Sequence, residues 1–441
     1  MRDIAESFAL LSVSVVDGTG GPVLPDHAVV VQGGRITAVT PMSRHRSDPG
    51  IQELDLTGHY VMPGLIDAHV HLAGGRADIS DQEMGVIAEP KLLRAMRSVY
   101  EAQQILKRGF TTVRDVSWNG LYLKRLFFEQ KLPGPKVIAC GPGLTRTGGH
   151  ADLHQFTTDY VSEHGVFGLL ADGPDEIVKA VRFVLREGAD AVKIFASGGD
   201  NWPHDRNTDV HYSFDELRAC VDEAHRQTGT LVMCHAENRD AIDMAVDAGV
   251  DTIEHGEDID EALAAKMAQR GTILVPTLQL IVNWHRDFMP VGEAAHAKPR
   301  PDAFLYRDLY DAHDEEFGDR YSARAVQSFN TARAAGVKIA LGSDTVFEPL
   351  TTYGEYSALE LRAMVQYGMS PAEAIKAATS VGAEAVGMAH LLGTVAPGKL
   401  ADLLVLRADP TASPDVIYDA ANIHLTFCDG KLTVQDGRFA W

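Results

Sequence analysis

The run Val61-Met62-Pro63-Gly64-Leu65-Ile66-Asp67-Ala68-His69-Val70-His71 decides how the rest of the chain is read. It begins apolar, turns at Pro63-Gly64 and ends in two histidines one residue apart. Side chains alternate along a strand, so His69 and His71 point to the same face. Two neutral imidazoles on one face make half of a transition-metal site, although the pair alone reads equally well as two strand histidines in a core or on a surface.

Working outward, residues 11–16, 28–31 and 33–39 are short β-rich runs, and Gly33-Gly34 marks a hairpin. The same texture returns at 401–406, 423–428 and 431–434, before a turn at Asp436-Gly437. Small strands at both ends of a chain imply one β-domain built from both termini. Between them, β-branched runs alternate with helical stretches, the pattern of βα units around a parallel sheet. Strands ending near His71, Ser117, Pro142, Ser197, Glu237, Gly256, Leu278 and Asp344 make the eight-strand set that closes a barrel. Ser213-Phe214-Asp215-Glu216 is a capping box, and Ser370-Pro371-Ala372-Glu373 adds proline at the first helical position. Residues 279–320, with Trp284, His285, Pro290, Pro299 and Pro301 among charges, form a long excursion over the active-site mouth.

The 441 residues suit one large α/β barrel and a smaller accessory domain. The formal charge of −21, from 40 basic and 61 acidic residues, excludes nucleic acid and anionic membrane as partners and leaves a small molecule. Cys140, Cys220, Cys234 and Cys428 lie far apart with no CxxC pair, so they read as free thiols in a reducing compartment. The first seven residues carry acids where a signal peptide needs a basic stretch, and no apolar run is long enough to span a bilayer; a cytoplasmic protein is expected.

In a barrel, catalytic groups sit where strands end. The fourth run, 191–197, embeds Lys193 among apolar and aromatic neighbours; the fifth and sixth deliver His235 and His255, and the eighth delivers Asp344. A buried ammonium is costly. Lys193 therefore pairs with an acid such as Asp190 or Glu254, acts as a neutral amine, or reacts with carbon dioxide to give an anionic carbamate ligand.

The ordered set of 63–71, Lys193, His235, His255, Gly342-Ser343-Asp344 and the C-terminal run 393–403 resembles the amidohydrolase superfamily over essentially the whole chain. The resemblance implies a distorted (β/α)8 TIM barrel over 63–387 and a urease-like β-sandwich from 1–62 plus 388–441. It further implies a centre of two divalent metal ions, zinc by the family's habit, bridged by hydroxide and by Lys193 carboxylated with CO2. Carried over residue by residue, His69, His71 and Asp344 would hold the more buried ion, His235 and His255 the more exposed one, and Lys193 would bridge both. Asp344 would shuttle the proton from the attacking water to the leaving amine.

Thr147-Gly148-Gly149-His150 resembles the loop of the branch that holds Xaa-Pro dipeptidases, imidazolonepropionase-like enzymes and ochratoxin-type amidases, in which His150 would bond the substrate carbonyl or oxyanion. Ala151 stands where many relatives have another glycine, and Arg146 where many have an apolar residue. A solvated loop histidine is the plainer reading of His150. His154, His164, His204, His211 and His285 read as loop histidines, with His204 and His211 placed to line a pocket. Arg114 and Asp115 read as a structural pair below the metals, and Asp311, Asp314, Glu315 and Glu316 as a solvated helix face. The expected function is hydrolysis of an amide bond, in a dipeptide or N-acyl amino acid, by a homo-oligomer. The rivals are hydrolysis of a cyclic amide, urea or carbamate, a deaminase, and a non-catalytic barrel assembly protein.

Overall fold

The structure is a computed structural model that describes residues 4–75, 89–129, 132–154, 156–157, 159, 167–199, 205–287, 315–346 and 354–440; of 283–287 and 315–321 it gives the backbone alone. The first five strands are β1 (Phe8–Val15), β2 (Leu24–Gln32), β3 (Arg35–Pro41), β4 (Gln52–Asp55) and β5 (Tyr60–Pro63). A parallel series follows: β6 (Leu65–Val70), β7 (Phe110–Asp115), β8 (Lys136–Ala139), β9 (Gly143–Thr145), β10 (Gly168–Leu170), β11 (Ala191–Phe195), β12 (Leu231–Ala236), β13 (Thr252–His255) and β14 (Ile273–Val275). The chain closes with β15 (Leu403–Leu406), β16 (Ile423–Cys428), β17 (Lys431–Gln435) and β18 (Arg438–Phe439).

Both ends of the chain share one nine-stranded sheet, ordered β18-β17-β16-β15-β5-β1-β2-β3 with β4 paired to β1. The β2–β3 hairpin turns through Gly33 and Gly34 at φ of 56° and 75°, a left-handed pair that two glycines adopt without a Cβ penalty. The seam between the ends is antiparallel, with Leu403 opposite Pro63 and Leu406 opposite Tyr60. Phe8 from one end stacks on Phe427 from the other at 4.8 Å between ring centroids, inside a core that includes Leu10, Val13, Val31, Val61, Val405 and Leu425.

The central strands form two parallel sheets, β10-β9-β11-β12-β13-β14 and β6-β7-β8, rather than the single closed eight-strand barrel expected from sequence. Two seams account for the difference. The eighth segment is joined by single bridges, Ile339 to Leu274 on one side and Thr345 to Val70 on the other, and is too irregular to make a ladder. On the far side β9 takes part of the β11 edge, and β8 reaches β11 through the Asp190 amide on the Ala139 carbonyl at 2.7 Å. Both bridges of the eighth segment are parallel, so it spans from β14 to β6 and sets Asp344 beside His69. Strands β6, β7, β11 and β13 are buried at every position, so the polar side chains they carry, among them Asp67, His69, Arg114, Lys193, Glu254 and His255, are held in the interior.

Both capping boxes form as read: Ser213 and Ser370 accept from the amides of Glu216 and Glu373, whose carboxylates bond back. Of the excursion, only its two flanks are described. Leu278–Asp287 and Glu315–Ala334 are helices, and Asp311 and Asp314 lie outside the described residues. The seventh strand stops at Val275 because the Leu278 and Gln279 amides are capped by buried Glu360, at 3.0 and 2.6 Å. All four cysteines are free, three of them buried, and no described helix is long and apolar enough to cross a membrane.

Replacing fully buried Phe427 by Ala removes the aromatic clamp between the chain ends, and a loss of about 3–5 kcal/mol in chemical denaturation is expected.

Candidate metal centre and catalytic site

His69, His255 and Asp344 each offer a ligand atom, all within 4.8 Å of one another. Asp344 Oδ1 lies 2.9 Å from His71 Nε2 and 3.4 Å from His69 Nε2. The His255 ring is centred 5.4 Å from that of His69 and 4.6 Å from that of His235. His235 in turn stacks on His150 at 4.3 Å, tilted by 15°. Sequence reasoning placed these residues at separate strand ends; the fold gathers them into one continuous cluster.

Two rings have their outer nitrogen hydrogen-bonded, and a third lies beside a carboxylate. His71 Nδ1 donates to the Val116 carbonyl at 2.8 Å, His255 Nδ1 meets Thr277 Oγ1 at 2.8 Å, and His69 Nδ1 lies 2.9 Å from Glu254 Oε2. Fixing Nδ1 in this way leaves Nε2 turned inward with its lone pair, the form a cation needs. His235 differs, since its Nε2 lies 3.2 Å from the Gly198 carbonyl and 3.5 Å from Glu237.

The electrostatics agree with a donor set. Burial pushes His69 and His235 well below the usual imidazole range and His255 down to about 4, so these rings are neutral near pH 7. For Asp344 burial pulls upward, yet His69, His71 and His255 together outweigh it and hold the carboxyl below its ordinary value. Lys193 is fully buried, with its Nζ 5.1 Å from the Phe195 ring centroid; burial depresses its pKa against the opposing pull of Glu254 and Asp344. Its electrostatic coupling to His69, His235 and His255 places it in the same cluster. Neutral imidazoles, an ionised carboxylate and a lysine whose ammonium is disfavoured are donors that fit divalent cations.

Backbone strain concentrates here. His255, Thr277 and Asp344 have φ of 69°, 46° and 53°, a region costly for residues with a Cβ and common at functional sites. Gly342 is required by contact, since a Cβ there would come within 2.3 Å of Val275 and 2.9 Å of His69 Cβ.

Several expectations need correction. Arg114 does not pair with Asp115. Its guanidinium bonds Glu254 at 2.8 Å and the carbonyls of Ala68 and Ala385, while Asp115 accepts from the Leu72 amide and Ser117. The reason is direction, because adjacent residues on a strand face opposite sides. Asp190 belongs to Lys124 at 2.6 Å, which removes it as the Lys193 counter-ion. His211 lies in the loop after β11 as read, with its side chain fully buried beside Asp205. His154 reaches the Gly149 carbonyl at 3.2 Å, whereas His164 and His204 lie outside the described residues and His285 is described by its backbone alone.

His150 sits in the loop after β9, with Nδ1 2.6 Å from Asp205 Oδ2. Ala151 beside it has φ 68°, a conformation that glycine adopts without a Cβ penalty. Asp205, Thr277 and Asp67 escaped the sequence reading, and Glu254, weighed there as a partner of Lys193, bonds Arg114. Asp67 alone had a usable signal, two residues before His69 on the same face. It accepts from the amides of His69 and Ser343 at 3.1 and 3.0 Å, and burial raises its pKa to about 6.

The amidohydrolase family model matches residues 60–433. This chain belongs to the amidohydrolase family. Among amidohydrolase relatives, the ochratoxinase of Aspergillus niger is 29% identical over 397 residues, covering 86% of this chain and 77% of that protein. The crystal structure of a prolidase complexed with N-methylphosphonate-L-proline is 32% identical with a TM-score of 0.84, over 98% of this chain and 100% of that one. A Xaa-Pro dipeptidase with bound methionine in the active site is 26% identical with a TM-score of 0.80, over 97% and 99%.

Two outcomes follow for stability. Arg114→Met leaves Glu254 buried without its cation and should cost about 3–5 kcal/mol by denaturant titration. Burial also lowers His211 from 6.5 to about 4. The unfolded chain then takes up this proton first, so stability is lost as pH falls from about 6.5 to about 4, and a His211→Gln variant should show a shallower slope across that window.

Proposed function

We propose that the protein is a metal-dependent amidohydrolase that cleaves the amide bond of a peptide-like or N-acyl amino-acid substrate. The observation that carries this reading is the inward set of imidazole Nε2 atoms around ionised Asp344, with the His71 and His255 rings pinned by outer hydrogen bonds and His69 Nδ1 2.9 Å from Glu254. His69, His71 and Asp344 would hold one cation, His235 and His255 a second, and carboxylated Lys193 would join them. For His235 this requires exchange of its contact with the Gly198 carbonyl for the cation.

When bound, two divalent cations lower the pKa of a shared water toward neutrality and polarise the carbonyl under attack. The chain does the rest. Asp344, held below its ordinary pKa with His71 Nε2 2.9 Å away, accepts the proton of the attacking water and delivers it to the departing amine nitrogen, so that the C–N bond breaks to a neutral amine. His150, whose Nδ1 is taken by Asp205, meets the carbonyl oxygen through Nε2. Phe195, packed against both His150 and His235, gives that side of the site an apolar wall.

The test is a panel of Xaa-Pro, Xaa-Arg and N-acyl amino acids beside hydantoins, lactams and phenylureas, read with a metal count per chain. Turnover of the linear amides with about two metals per chain is expected, lost on chelation and regained on adding Zn2+. Preference for the cyclic or urea substrates would move the reading to ring opening, and active protein free of metal would end it. Asp344→Asn should abolish turnover with metal content near wild type; retained activity would remove the assigned shuttle.

A further inference from the structure

We propose that Asp205 is a positioning residue for His150, and that with His211 it forms a buried unit fixing which ring nitrogen His150 presents to the substrate. This rests on the hydrolase reading above, in which His150 meets the carbonyl.

Asp205 is fully buried, and its Oδ2 is 2.6 Å from His150 Nδ1, a length typical of a charge-assisted bond. Its other oxygen faces His211 Nε2 at 3.8 Å. The His211 tautomer follows from the backbone. The His150 amide donates to His211 Nδ1 at 3.2 Å, so in the neutral ring the proton sits on Nε2, which lies 3.8 Å from Asp205 Oδ1 without a hydrogen bond to it. One carboxylate thus lies between two imidazoles, one turned toward the reacting centre and the other holding the backbone of the same residue from behind.

The loop has no need of this carboxylate to keep its shape. It is already returned to β11 by the His211 amide on the Ala196 carbonyl at 2.8 Å and by the Gly198 amide on the Asp209 carbonyl at 3.2 Å. Asn238 adds a bond to the Asn207 carbonyl at 2.7 Å. A buried carboxylate that secures no strand or helix costs desolvation and contributes only what it does to His150.

The rest of the pocket constrains the same ring. His235 stacks on one face, and on another side Gly199 allows an approach that a Cβ would block, at 2.5 Å from His150 Cε1. Among the described residues His150 Nε2 has no hydrogen-bond partner, so the one ring atom left open is the one aimed away from Asp205. Nε2 donates from there when both ring nitrogens carry protons, with the Asp205 carboxylate as the counter-charge.

The experiment is a double-substitution cycle of Asp205→Asn and His150→Gln in the metal-loaded enzyme. Circular dichroism and metal content are measured for each variant, and the proton spectrum of the imidazole N–H region is recorded. Asp205→Asn should lower kcat by roughly 10- to 100-fold with a smaller change in KM, and should add nothing in the His150→Gln background. Asp205→Glu should recover part of the loss. A strongly downfield imidazole proton should be present in the wild type and absent from both single variants. Wild-type kcat in Asp205→Asn, losses that multiply in the double variant, or a downfield proton that survives Asp205→Asn would each overturn the proposal. If Asp205→Asn does not fold, Asp205→Glu carries the cycle in its place. If the wild type cleaves no amide, the hydrolase reading fails, and the proton spectrum still decides the pairing.

Discussion

Everything in the centre depends on a fully buried ion pair, Arg114 with Glu254. Arg114 holds the Ala68 carbonyl beside His69 and the Ala385 carbonyl as well as Glu254, so one guanidinium ties β7, β6, β13 and the helix Ser380–Ala385. Glu254 spends one oxygen on Arg114 and turns the other to His69 Nδ1. Without the cation, a carboxylate would be stranded beside the ring of His69 with no counter-charge. The chemistry at the strand ends therefore stands on an electrostatic arrangement one layer beneath it.

A second shared property is strain placed where donors must converge. His255, Thr277 and Asp344 all adopt left-handed backbone at the ends of neighbouring segments. Such conformations persist only when the surroundings over-determine them. At Thr277 the surroundings are visible: Glu360 captures the next two amides, and Thr277 Oγ1 meets His255. Burial among Asp67 and Asp344 lifts the Glu360 pKa to about 8, the strain of placing acids close together in a dry interior.

The residues facing the centre were legible in the sequence because strand ends are legible. A run of β-branched residues closing in His, Lys or Asp announces both the element and the side chain it delivers, and His69, His255 and Asp344, from three separate runs, bring ligand atoms within 4.8 Å of one another. Partners from a different part of the chain were not legible. Nothing in the local pattern links Arg114 to Glu254, 140 residues away, or Glu360 to the start of the helix at Leu278. Asp205 follows a stretch of loop whose path no periodicity encodes. How the barrel closes was legible only in part for a related reason: apolar periodicity marks a segment as a strand, but whether residues 339–345 make a ladder or two isolated bridges depends on register with neighbours.

The sheet built from both ends has a consequence for the order in which the molecule can be made. During synthesis β5 emerges early, and the edge that will later accept β15 stays bare while the whole catalytic portion is being translated. A bare, apolar strand edge is a template for unwanted pairing with other chains. The nascent polypeptide must therefore shelter that margin, and the arrival of Leu403–Leu406 works as a latch that closes only once the enzyme behind it is complete.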